Sequence, residues 1–80
     1  MDRIRLAVAG AGFISTTYHC PSLVKLKSKF PGLELAAICD TDPGRAEQAA
    51  HQFGFAAHYT DIGAMLAAEQ PDAASVLVPP

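Results

Sequence analysis

Apolar and polar positions follow two patterns that take turns along the chain. Ile4, Leu6, Ala7, Val8 and Ala9 form a nearly continuous apolar run, the pattern of a strand buried on both faces of a parallel sheet. Leu33 to Cys39 (LELAAIC) repeats it after a Pro31-Gly32 turn. Between these runs a helix is predicted over 13–29, with Ile14, Tyr18 and Val24 on its inner face. Pro21 lacks the N–H a helix interior needs, so it should bend that helix or restart it near Ser22. A second helix opens at Asp42, a good N-cap, with Pro43 in the first helical position. Ala46, Ala49, Ala50 and Phe53 then keep the spacing of one buried face, and Gly54 suits a left-handed cap. Phe55 to Tyr59 is expected as a short third strand. Asp61 caps a third helix that turns Ile62, Met65 and Leu66 inward and ends at Pro71. Ala73 to Val78 is a fourth strand, stopped by Pro79-Pro80.

Strict alternation of strand and helix implies an α/β fold, a parallel sheet with right-handed crossovers. Eighty residues make about one half of a doubly wound domain. A chain this short buries only about 60% of the surface its unfolded form exposes. The fourth strand would also leave an apolar edge, which folded proteins avoid. Residues 1–80 are therefore expected to be part of a longer protein.

Charge and cysteine content narrow the possible partners. A net charge of −2 gives no footprint for nucleic acid or an anionic membrane. Lys25, Lys27 and Lys29 read as a solvated helix end. Cys20 and Cys39 stand far apart, without a disulfide or metal-ligand pattern, and His19, His51 and His58 are isolated. No metal site is expected, and reduced, buried thiols suit a cytoplasmic protein. Arg3 and Arg5 before an apolar run superficially resemble a secretion signal. Asp2, the interrupting glycines and the absence of a small-residue cleavage site argue against one.

The candidate chemistry lies in GAGFIS, residues 10–15, between the first strand and the first helix. Gly10 lets the chain turn sharply. Gly12 carries no side chain, so a pyrophosphate can approach the backbone. The N–H groups of Gly12, Phe13 and Ile14 would then face phosphate oxygens at a helix N-terminus. Ser15 takes the small-residue position where helix packs on strand. A glycine turn without a ligand remains the plain alternative. Asp40 favours the nucleotide: it follows the second strand, 28 residues after Gly12, where the usual spacing is about 20. There a carboxylate accepts both hydroxyls of an adenosine ribose and repels a 2′-phosphate, which prefers NAD to NADP. The competing assignment is that Asp40 caps the turn, but Asp42 already fills that role. Arg45 is expected to face solvent, with NADP open to it should it swing toward a 2′-phosphate.

LAVAGAGFIS with YHCPSL, LELAAICDTDPGRAEQAAHQFG and YTDIGAMLAAEQPDAASVLVPP together resemble the glucose-fructose oxidoreductase/inositol dehydrogenase/rhizopine-catabolism (Gfo/Idh/MocA) family. The resemblance covers essentially the whole chain. It implies a two-domain NAD(P)-dependent dehydrogenase of sugars, polyols and related alcohols, with residues 1–80 as the first part of an N-terminal, NAD(P)-binding Rossmann-type domain and with oligomer contacts and substrate contacts in a C-terminal domain. It assigns Gly10, Gly12, Phe13 and Ile14 to the pyrophosphate, Asp40 to the ribose, and Val78 and Pro79 to the loop beside the cofactor. The family's Glu-Lys-Pro segment and its downstream Asp/His pair do not occur in these residues, so no catalytic residue is assigned. His19 is expected to serve helix packing. A non-catalytic NAD(P)-binding regulator of the same fold is the alternative. A methyltransferase fits less well, because Ile14 stands where its glycine would be.

Overall fold

A computed structural model describes residues 3–12 and 18–76. Strand β1 (Ile4–Ala9) leads to helix α1 (Cys20–Lys29), then β2 (Leu33–Cys39), α2 (Pro43–Phe53), β3 (Ala57–Tyr59), α3 (Ile62–Glu69) and β4 (Ala73–Val76). The strands form one parallel sheet in the order β3-β2-β1-β4. The jump from β3 to β4 reverses the direction of strand addition. With right-handed crossovers that reversal moves the connecting helix to the other face. Accordingly α1 and α2 share one face and α3 takes the opposite one.

The two faces are built differently. Val8, Leu35 and Ile38, with Leu6 beside them, pack against Cys20 and Leu23 of α1, Ala49 and Ala50 of α2, and Phe55. On the other face Ala7, Ala9, Ala37 and Cys39 meet Met65 of α3. A bulge makes this possible. Leu6 pairs with Leu35 but Ala7 pairs with Ala37, so Ala36 is an extra residue in β2. Strict alternation would set Leu35 and Ile38 on opposite faces; the added residue puts both in the α1/α2 core.

Helix α2 follows the sequence pattern throughout. Asp42 Oδ1 accepts from the N–H groups of Gly44 (2.9 Å) and Arg45 (3.3 Å). Gly54 closes the helix at φ 77°. Helix α1 departs from the pattern. Among the described residues a π turn occupies Tyr18 and His19, and the regular helix starts at Cys20, close to the restart expected near Ser22, with Pro21 in its first turn, where a missing N–H costs nothing. The wider turn shifts the helical phase, so Cys20 and Leu23 face inward while Tyr18 and Val24 are 62% and 41% exposed. Ile14 lies outside the described residues.

Helix α3 buries Met65 alone, and Ile62 and Leu66, expected inward, are exposed. Its apolar residues run nearly all round, so the sequence did not single out one face. Strand β3 starts at Ala57 rather than Phe55, because the Phe55 N–H bonds back to Ala50 O (3.0 Å) and finishes α2. Strand β4 is described only to Val76. Arg5 ties the far end of the sheet together. Its guanidinium meets Glu69 Oε1 at 2.7 Å and Glu34 Oε2 at 3.4 Å, and its N–H donates to Asp72 Oδ2 at 2.8 Å. The Tyr59 hydroxyl donates to Glu69 as well.

Met65 is the only large aliphatic side chain buried among the alanines of its face, among the described residues. Met65→Ala should lower unfolding free energy by about 2–5 kcal/mol, measured by urea denaturation.

Candidate functional site

Strands β1 and β2 end level with each other, Ala9 opposite Cys39. The Gly10 N–H continues the ladder by donating to Cys39 O at 2.7 Å. Gly10 then turns away at φ 111°, a conformation that side chains disfavour. Ala11 is buried beneath the turn. Among the described residues nothing lies within 4 Å of a Cβ placed on Gly12, which leaves room on that side for a close approach. The turn sits on β1, between β2 and β4, where strand order reverses; ligands of open α/β sheets lie at such points, beyond the carboxyl ends of the strands.

Asp40 meets this turn from the end of β2. Its N–H donates to Tyr59 O at 3.1 Å, extending the pairing to β3. Its carboxylate is 13% exposed. Oδ1 accepts from the Ala11 N–H at 3.3 Å, and Oδ2 accepts from the Asp42 N–H at 3.0 Å. Arg45 Nε donates to the same Oδ2 at 3.1 Å. Burial raises the carboxyl's pKa, but the Asp42 and Ala11 amides and the Arg45 guanidinium outweigh it and hold it below its ordinary value. Asp40 therefore stays charged at neutral pH. It also braces the turn into α2, the role the sequence assigned to Asp42 alone. Arg45, expected in solvent, is half exposed but paired. This pairing was not read from the sequence; its signal is the five-residue spacing from Asp40 across a proline-started helix.

Of the other expected site residues, Phe13, Ile14, Val78 and Pro79 lie outside the described residues, as does Ser15. Cys39 and Cys20 are buried and in no disulfide. Burial pushes the Cys39 thiol up, and the nearby charges of Asp40 and Asp61 add to this, so it is protonated and structural. His19 precedes α1 with its Nε2 buried and unpaired among the described residues. An apolar hollow of about 360 Å³ opens between Ile4, Leu26, Phe30, Pro31, Gly32 and Leu33, at the opposite end of the strands. It offers no polar side chain to orient a nucleotide. Among the described residues there is no cluster fit to hold a metal ion, and no helix is long and apolar enough to cross a membrane. The open backbone at Gly12 and the charged carboxylate beside it suit the two ends of an adenosine diphosphate: an anion approached by backbone and a ribose diol approached by an acceptor.

The model of an oxidoreductase family with an NAD-binding Rossmann fold (GFO_IDH_MocA) matches residues 4–80. D-glucoside 3-dehydrogenase of Escherichia coli (strain K12) is 34% identical over 76 residues, covering 95% of this chain and 20% of that protein. The structure of the WlbA dehydrogenase of Chromobacterium violaceum, in complex with NADH and UDP-GlcNAcA, superposes with a TM-score of 0.84 at 28% identity, over 99% of this chain and 21% of that one. Myo-inositol 2-dehydrogenase of Lactobacillus plantarum gives 0.80 at 29%, over 98% and 22%. The chain thus spans about one fifth of the length of these relatives.

The lowered Asp40 pKa fixes a sign for acid stability. A carboxyl depressed in the fold stabilises it above the unfolded value and loses that contribution as pH falls through the folded value. The urea midpoint should hold down to about pH 4 and drop below it. In Asp40→Asn the midpoint at neutral pH should be lower and its decline in acid shallower.

Proposed function

The chain belongs to the oxidoreductase family with the NAD-binding Rossmann fold, and from that membership we propose that it forms the first part of the cofactor domain of a dehydrogenase of sugars, polyols or related alcohols. The pairing of the Gly10–Gly12 turn with the charged Asp40 carries the reading. The N–H groups of Gly12, Phe13 and Ile14 bind the pyrophosphate, and Gly10 sets the turn. Asp40 accepts the adenosine ribose hydroxyls. Val78 and Pro79 run beside the cofactor after β4. The cofactor, when bound, supplies hydride transfer at its nicotinamide; the residues of this chain bind and orient its adenosine half. The group that takes the alcohol proton and the contacts that choose the substrate belong to a further domain of the protein. The glucoside and inositol dehydrogenases among the relatives support a polyhydroxy substrate.

Asp40 favours NAD, since its charge opposes a 2′-phosphate, and Arg45 keeps NADP within reach as the second cofactor. The buried cysteines, in no disulfide, support a cytoplasmic protein. The small negative charge supports neither nucleic acid nor membrane as a partner, and the family resemblance supports a homo-oligomer.

Calorimetric titration tests the assignment. The protein should bind NADH more tightly than NADPH. Asp40→Ala should weaken NADH about 10- to 100-fold, the range for losing hydrogen bonds to a charged acceptor. Failure to bind either nucleotide refutes the proposal, and an unchanged NADH affinity in Asp40→Ala refutes the ribose assignment.

A further inference from the structure

An ionised carboxylate offers about four acceptor positions, two on each oxygen. In Asp40 three are taken among the described residues. Oδ1 holds the Ala11 N–H, and Oδ2 holds both the Asp42 N–H at 3.0 Å and Arg45 Nε at 3.1 Å. One position is left, on Oδ1, whereas a ribose diol gripped by both hydroxyls brings two donors. One of the present donors must leave. The Ala11 and Asp42 amides are fixed in the backbone of the two turns. Arg45 is a side chain, 56% exposed, and its guanidinium already stands 3.9 Å from Asp42 Oδ2. A small movement carries it there.

We propose that ribose capture is an exchange of partners at Asp40: Arg45 holds the Oδ2 position in the cofactor-free protein and surrenders it to a ribose hydroxyl on binding. The proposal rests on Asp40 being the ribose acceptor. Arg45 is then a positioning residue with opposite effects on the two nicotinamide cofactors. It keeps Asp40 pointed at the turn, yet competes with the diol of NADH. Toward NADPH, whose 2′-phosphate would otherwise face the Asp40 charge unopposed, it supplies the balancing cation.

Calorimetric titration of the purified full chain with NADH and NADPH, alongside Arg45→Ala and Arg45→Gln, tests the exchange. An exposed ion pair is weak, so its removal should tighten NADH by about two- to fivefold. NADPH should weaken in the same variants. Thermal unfolding of each variant checks that the fold is kept, and Arg45→Gln retains the side-chain stem should Arg45→Ala not fold. Opposite shifts for the two nucleotides support the exchange. Shifts of one sign for both, or an unaltered NADH affinity, overturn it while leaving the ribose assignment intact. No NADH binding by the unsubstituted protein, or no effect of Asp40→Ala, instead overturns the ribose assignment and the exchange with it.

Discussion

The hydrogen bond from the Gly10 N–H to Cys39 O joins two strand ends that diverge immediately afterwards. Because β1 and β2 stop at the same level, the glycine turn and the start of α2 leave the sheet side by side. Asp40 can then reach Ala11 from one side and Asp42 from the other. The site is thus a product of parallel register. A slip of one residue between β1 and β2 would separate the open backbone at Gly12 from the carboxylate.

Charge at this corner is contained rather than exposed. Asp40 is largely buried, yet two backbone amides and a guanidinium keep it ionised. A carboxylate held by three donors is fixed in orientation and keeps little side-chain freedom. At the other end of the sheet Glu69 follows a related rule. The Tyr59 hydroxyl lowers its pKa first, burial opposes, and Arg5 adds to the lowering. There the result is structural, joining α3 to β1.

The parts of the fold legible in the sequence are those where local and tertiary preferences coincide. Asp42-Pro43, the alanine spacing and Gly54 describe α2 completely, because cap, face and stop each have their own residue type. In α1 the π turn before Pro21 rotates the helix, and no residue pattern announces a change of phase. Helix α3 is apolar on nearly every side, so its buried face is decided by the alanine surface it meets. The glycine turn and Asp40 were legible as separate signals at two strand ends. Their joint geometry was not, and neither was the bond from Arg45, since it depends on how α2 leaves the sheet.

The extra residue at Ala36 has a consequence for how β2 can vary. Leu35 and Asp40 are five positions apart, which by simple alternation means opposite sides of the sheet. The inserted alanine resets the count, so the lower half of the strand keeps phase with the core while the upper half presents its carboxylate toward α2. The two halves are in effect separately geared. Core residues below the bulge can be exchanged for others of like volume without turning the end of the strand that carries Asp40, whereas loss of the one small residue between them would swing that carboxylate to the opposite side of the sheet and undo its bonds to Ala11 and Asp42.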